Sequence, residues 1–277
     1  TMIKMKKIFA LCLLGSMSLA NYAKDWEKQL PYQNPKLSVE ERVEDLIGRM
    51  TLEEKLYQMS AIYFGKNAEI FDATGEYSMD EVRKQFGTHG VGHLSCPTTD
   101  MSARQAVRAC NKIQRIAVEE PRLGIPVIID AEAIHGLRAT GATSYPQSIA
   151  LSCTWNTELM GRIADAIGQE TYSRGIHQVL SPTLDLARDP RHGRLDECYG
   201  EDPYLASRMG VEFIKGVQKN RVICSPKHFL ANFVGDGGRD SGNAGMSERE
   251  LREIHMPPFE AAVREAHVKS LMAAYNS

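Results

Sequence analysis

The sequence predicts an α/β protein built as an incomplete (β/α)8 barrel, TIM-barrel-like in its wall, and three observations carry that prediction. Short β-branched runs alternate with amphipathic stretches about every 45 residues, the pattern of parallel strands joined by helical crossovers. Four of the runs end in polar side chains, as barrels do when they build one site from several strand ends. No G-x-G-x-x-G follows the first run, where a doubly wound dinucleotide-binding sheet would carry it.

Taken in order, residues 38–41 (SVEE) and 51–54 (TLEE) read as capping boxes that open helices. The second helix carries Leu52, Leu56 and Met59 at helical spacing. Residues 69–77 look like a surface excursion. Strands are expected at 90–94, 125–130, 178–181, 222–224 and 269–274, five at most. Helices are expected at 101–118, 156–174, 203–218 and 247–266. A barrel with strands missing would leave sheet edges exposed, which makes independent folding of such a chain a question in itself.

The chain has 277 residues, with 33 Lys and Arg against 35 Asp and Glu, a formal net charge of -2. So balanced a surface supplies no field to draw in nucleic acid or anionic lipid. Lys4, Lys6 and Lys7 precede a short apolar run at 8–14, and small-residue sites follow at 18–20 (SLA) and 21–23 (NYA). These are the parts of an export signal. The expected organisation is a signal peptide over 1–23, a polar lead-in over 24–50 and the incomplete barrel over 51–277. The apolar run is short of the roughly 20 residues a membrane span needs. Cys12 lacks the small residues that precede a lipidated cysteine, so no stable membrane anchor is expected and the location is periplasmic or secreted. The alternative for this segment is a buried N-terminal helix. Cys96, Cys110, Cys153, Cys198 and Cys224 are odd in number and unpaired by spacing, so buried free thiols are the default, with one incidental disulfide at most. No zinc spacing occurs, and neither a metal nor a cofactor is expected.

The strand-end residues each admit two readings. Asp130 and Glu132 offer carboxylates to substrate hydroxyls, or else serve as local caps and ion-pair partners. His135 lies in the same stretch. Residues 188–194 hold three arginines beside Asp196, Glu197, Glu201 and Asp202; their forks suit hydroxyls or carboxylates, or brace a long loop as ion pairs. Lys227 and His228 bridge adjacent hydroxyls, or Lys227 pairs with a barrel carboxylate. Tyr275 is a wall or a rim aromatic. The segment 235–238 (GDGG) lacks the Lys and Ser/Thr of a phosphate loop, and its aspartate would repel an anion. No G-x-S-x-G supports a serine triad. Acids, arginines, Lys, His and Tyr without metal spacing best suit a neutral polyhydroxylated ligand, a sugar.

Residues 132–136 (EAIHG), 145–147 (YPQ), 185–194 (DLARDPRHGR), 199–203 (YGEDP), 227–229 (KHF), 247–259 (SERELREIHMPPF) and 274–277 (AYNS) resemble, in this order, the signatures of glycoside hydrolase family 3. The resemblance runs from about Ser38 to the last residue. It implies an N-terminal barrel domain, usually followed by an α/β sandwich, and exo-acting retaining hydrolysis of β-linked sugars. By position it implies that Glu132, Arg194, Lys227, His228 and Tyr275 line the subsite for the terminal sugar. Glu132 would accept from ring hydroxyls, Arg194, Lys227 and His228 would donate to them, and Tyr275 would sit beside the nucleophile. His192 stands where the family often has Trp. Glu132 stands where many β-glucosidases have Asp, and a longer acid there is common in β-xylosidase relatives. Retaining chemistry needs two carboxyls roughly 5 Å apart. The resemblance puts the nucleophilic aspartate beyond Ser277 and the acid/base usually in the second domain, so the catalytic pair is expected outside this chain. The histidine loop that serves one branch of the family is replaced here by residues 230–234 (LANFV). The expected function is that of a β-glucosidase-type hydrolase whose sugar-holding part this is. A β-xylosidase of the same family and a non-catalytic sugar-binding remnant are the alternatives.

Overall fold

The computed structural model describes residues 30–63 and 77–276. The expected export signal, the first part of the lead-in and all but the last residue of the 69–77 excursion lie outside the described residues. Tyr77 itself is buried. The chain divides into two compact units, Thr1–Leu56 and Tyr57–Ser277.

In the first unit a 3-10 turn, Pro31–Gln33, leads into helix α1, Val39–Arg49. Ser38 Oγ accepts the Glu41 N–H at 3.2 Å while the Glu41 carboxylate takes the Ser38 N–H at 2.9 Å, so the expected capping box is closed. Asp45 accepts the Tyr32 N–H at 3.1 Å and both arms of the Arg49 guanidinium, tying the turn to the helix. Helix α2, Leu52–Gln58, opens with the second box: Thr51 Oγ1 accepts the Glu54 N–H at 3.2 Å and the Glu54 carboxylate accepts the Thr51 N–H at 2.9 Å.

The second unit holds five parallel strands: β1 Ala61–Tyr63, β2 His93–Ser95, β3 Ile128–Ala131, β4 Gln178–Val179 and β5 Ile223–Cys224. Their order in the sheet is the order in the chain, with Ile62 beside Leu94, Leu94 beside Ile129, Ala131 beside Val179 and Val179 beside Cys224. Helices fill the connections: α3 Met79–Phe86, α4 Ala103–Glu119, α5 Ser148–Ser152, α6 Thr157–Ser173 and α7 Pro203–Gln218. After β5 come α8 Glu248–Glu250, a π turn at Leu251–His255, and α9 Pro257–Arg264. Unreversed order with a crossover at every step is the wall of a partial (β/α) barrel; a doubly wound sheet would reverse direction.

Two expectations need correction. The strand at 269–274 is reduced to one bridge, Phe229 with Ala273, flanked by the Phe229 N–H donating to Met272 O and the Ala274 N–H to Phe229 O, both at 2.7 Å. The Met272 N–H also donates to Pro226 O at 3.0 Å, and among the described residues no strand ladder extends beyond these bonds. In its place β1 supplies the fifth strand. Three residues are too few to show a period in sequence, and β1 was invisible for that reason.

Among the described residues the apolar core lies in two large clusters, with a small third one of Ala187, Cys198 and Phe233. One gathers Val82, Phe86, Leu94, Ile113, Val127 and Ile129 under α3 and α4; the other gathers Met160, Ile167, Val179, Leu184, Phe213 and Val217 under α6 and α7. Each such side chain, fully buried, contributes about 1.5–3 kcal/mol against exposure. Helices α6 and α7 approach closely because Gly216 faces Ala164 and the Gly161 carbonyl. Their starts are capped: Asn156 accepts the Leu159 N–H at 2.9 Å, and Asp202 accepts those of Tyr204 and Leu205 ahead of Pro203.

Candidate substrate-binding site

Parallel strands aim their carboxyl ends at one rim, and the polar residues after β3, β4 and β5 meet there. Glu132 follows β3 directly. Lys227 lies three residues beyond β5, and its Nζ donates to both Glu132 oxygens at 2.9 Å. The ammonium is 2% exposed while Glu132 is only partly covered, so a buried cation is neutralised from the rim side. Of the two readings for Lys227, pairing with a barrel carboxylate is the one the geometry realises.

His228 is fully buried and held from behind. Asp185, in the loop after β4, accepts its backbone N–H at 2.8 Å and contacts its Nδ1 at 2.7 Å, and also accepts the Asn232 N–H at 3.2 Å. A carboxylate can only accept, so Nδ1 carries the proton and Nε2 is an acceptor, not the donor to ring hydroxyls that the resemblance implies. Nε2 stands 3.4 Å from an Arg194 terminal nitrogen.

Arg194 is oriented by a two-armed contact to Glu197, Nε to Oε1 at 2.8 Å and a terminal nitrogen to Oε2 at 2.7 Å. Burial pushes the Glu197 carboxyl up, but the Arg194 fork, with the charges of Arg194 and Lys227, outweighs it and leaves the group below its ordinary value. The same fork, against burial, drives the Arg194 guanidinium higher still. Phe233 lies under this arginine, 5.6 Å from its Cζ to the ring centre, and stacks on His192 at 3.7 Å. The other two arginines brace the loop: Arg191 forks onto Asp189, and Arg188 Nε donates to the Glu201 carbonyl at 3.3 Å.

Tyr275 closes the group. Its ring lies 4.9 Å from that of His228, its backbone N–H donates to Asn232 Oδ1 at 3.0 Å, and half of the residue is exposed. Burial raises its phenol, with the Arg194 charge opposing.

All five expected residues therefore gather at one rim. Asp130 does not join them. It is buried, with Ser95 Oγ and the Cys96 N–H donating to Oδ1 at 2.9 and 3.0 Å and His93 Nε2 at 2.7 Å from Oδ2, so it ties β2 to β3. His135 is turned to the Tyr145 carbonyl at 2.9 Å, in a cleft of about 450 Å³ that Glu132, Asp100 and Arg138 also line. The thiols of Cys110, Cys198 and Cys224 are buried, while Cys153 is exposed. Burial pushes Cys96 up to about 11. Among the described residues no group of three His, Cys, Asp or Glu side chains could hold a metal ion, and no helix is long and apolar enough to cross a membrane.

Sequence reasoning did not assign the residues that hold the clamp in place. Asp185 opens the 185–194 motif and Glu197 sits in its acidic flank, so both were visible without a role. Asn232 had no local signal: it is identified only by joining Asp185, Asp240 and Tyr275 from three separate segments.

A sequentially ordered parallel barrel wall, with cations, carboxylates and aromatics converging at its carboxyl rim, defines the class of barrel proteins that build one polar site from successive strand ends. Within that class the chain belongs to glycosyl hydrolase family 3, whose N terminal domain matches residues 51–277. A β-xylosidase of Formosa agariphila is 43% identical over 181 residues, 59% of this chain and 25% of that protein. Among solved structures, a β-glucosidase from Erythrobacter marinus superimposes with a TM-score of 0.80 at 29% identity, covering 90% of this chain and 33% of its own. The β-glucosidase of Listeria innocua, in complex with glucose, gives 0.72 at 30% identity, covering 87% and 33%. The chain thus spans a quarter to a third of the length of these relatives.

Proposed function

We propose that the protein carrying this chain is an exported, exo-acting retaining β-glycosidase of β-glucosidase type, and that this chain supplies the part that holds the terminal sugar. The observation that carries the reading is the meeting of Glu132, Lys227, His228 and Arg194 from the loops after three successive strands. Polar groups held rigidly by fixed partners cost little to order around a ring of hydroxyls, and rigid groups discriminate well. Solved relatives from Listeria innocua are described as complexes with laminaribiose and with glucose, a β-linked disaccharide and its monomer, which supports a β-linked glycoside as the ligand. Hydrolysis would then need a nucleophilic carboxylate and an acid/base about 5–5.5 Å apart beside the clamp, outside this chain. The N-terminal Lys-rich and apolar segment supports export to the periplasm or beyond.

A β-xylosidase is the second reading, favoured by the Formosa agariphila relative. Assays of the hydrolase against nitrophenyl β-glucoside and β-xyloside, with Arg194→Ala alongside, test both. Turnover of the glucoside that Arg194→Ala lowers by tenfold or so supports the first reading, on the scale of one charge-assisted hydrogen bond. A strong preference for the xyloside transfers the assignment, and turnover of neither sinks it.

A further inference from the structure

The glycine-rich segment set aside as a phosphate loop has a place beside the clamp. Asp236–Gly238 forms a tight turn, and a Cβ on Gly238 would lie 2.3 Å from the Arg191 Cβ. Gly238 also has φ 72°, so only glycine lets the turn sit this close to the arginine loop. The turn delivers Asp240. Its Oδ1 accepts the Ser241 N–H at 3.0 Å and the Asn232 amide at 3.3 Å, and lies 3.5 Å from His192 Nε2. Its side chain stays 49% exposed. Arg194, held charged chiefly by Glu197, also feels the Asp240 charge, and so does Tyr275, whose phenol is raised chiefly by burial.

The other carboxylates of the clamp are occupied. Both oxygens of Glu132 take Lys227, both of Glu197 take Arg194, and those of Asp185 take His228 and Asn232. Among the described residues, Asp240 Oδ2 receives no protein hydrogen bond. A sugar hydroxyl donates as well as accepts, and a carboxylate oxygen to which the protein donates nothing is the acceptor most open to it.

We propose that Asp240 is a further substrate-binding residue, accepting a hydrogen bond through Oδ2 from one hydroxyl of the bound glycoside beside Arg194 and Tyr275. The proposal rests on the reading of the clamp as a sugar site. The test compares Asp240→Ala, Asp240→Asn and Arg194→Ala in the full-length hydrolase, on nitrophenyl β-glucoside and its monodeoxy analogues. Both Asp240 variants should lower kcat/KM by about tenfold or more on the intact glucoside. Neither should lower it further on the one analogue that lacks the accepted hydroxyl, where the mutant cycle closes. Asp240→Asn preserves shape, so the result does not depend on how the loop tolerates alanine. Unchanged kcat/KM in both Asp240 variants, with Arg194→Ala impaired, overturns the proposal and leaves the clamp standing. Equal losses across the whole deoxy series also overturn it, because they mean a structural role for the loop. An unimpaired Arg194→Ala removes the clamp reading, and the proposal with it.

Discussion

Asp185 accepts two hydrogen bonds from the single residue His228, through the backbone N–H at 2.8 Å and the ring Nδ1–H at 2.7 Å, both on Oδ2. One carboxylate thus fixes the position of the chain after β5 and the tautomer of the ring it carries. Nε2 is left facing Arg194.

Asp185→Asn should therefore disturb the ring before it disturbs the fold. An amide in place of Oδ2 no longer selects the Nδ1–H tautomer. We expect kcat/KM to fall by at least about tenfold. Nitrogen NMR of the His228 ring should show a mixed tautomer; an unmixed Nδ1–H signal together with full activity would refute the role.

The Lys227–Glu132 pair predicts an asymmetry. Glu132→Ala strands an ammonium that is 2% exposed, at a cost of about 3–5 kcal/mol. Lys227→Met removes that charge and leaves a carboxylate that water already reaches, so it should cost less. Denaturant midpoints of the two variants decide the order, and the reverse ranking would count against a buried, neutralised lysine.

His177 and His255 predict a loss of stability on acidification. Burial lowers the pKa of both, helped at His255 by the Arg188 charge, and His177 Nδ1 accepts the Ile129 N–H at 3.4 Å. A folded-state value below the ordinary 6.5 means the unfolded chain takes up protons first as pH falls. The contribution is complete above about pH 6.5 and declines as pH falls toward the folded values. Melting temperature should drop between pH 7.5 and 5.5, and less steeply in His177→Gln; equal slopes would exclude His177 as a source.

Gly216 marks the closest contact of α6 and α7. A Cβ there would lie 2.6 Å from the Ala164 Cβ and 2.7 Å from the Gly161 carbonyl. Gly216→Ala forces the helices apart and should destabilise by about 1–3 kcal/mol despite alanine's better helix propensity. A variant as stable as the parent on thermal melting would show that the pair can slide.

Several helices and two of their caps were legible because their signals are local, whereas α3, α5 and the π turn inside the expected 247–266 helix were not foreseen. Ser38 with Glu41 and Thr51 with Glu54 each lie within one turn, and each closes as its spacing requires. Central strands were legible where β-branched residues cluster. β1 and the single bridge at Ala273 were misjudged, since strand pairing is settled by a neighbour distant in sequence.

By itself the sequence determined the βα alternation, the family and the five side chains that gather at the rim. Tertiary structure decided what each of them can do. It committed Lys227 to Glu132, withdrew Asp130 into the sheet, and aimed His228 through Asp185. It also left Asp240 with an oxygen to offer. The difference is physical: residue type and spacing fix which groups a strand end presents, whereas their hydrogen-bond partners come from segments tens of residues away. Only the side-by-side packing of successive strands brings those partners within 3 Å.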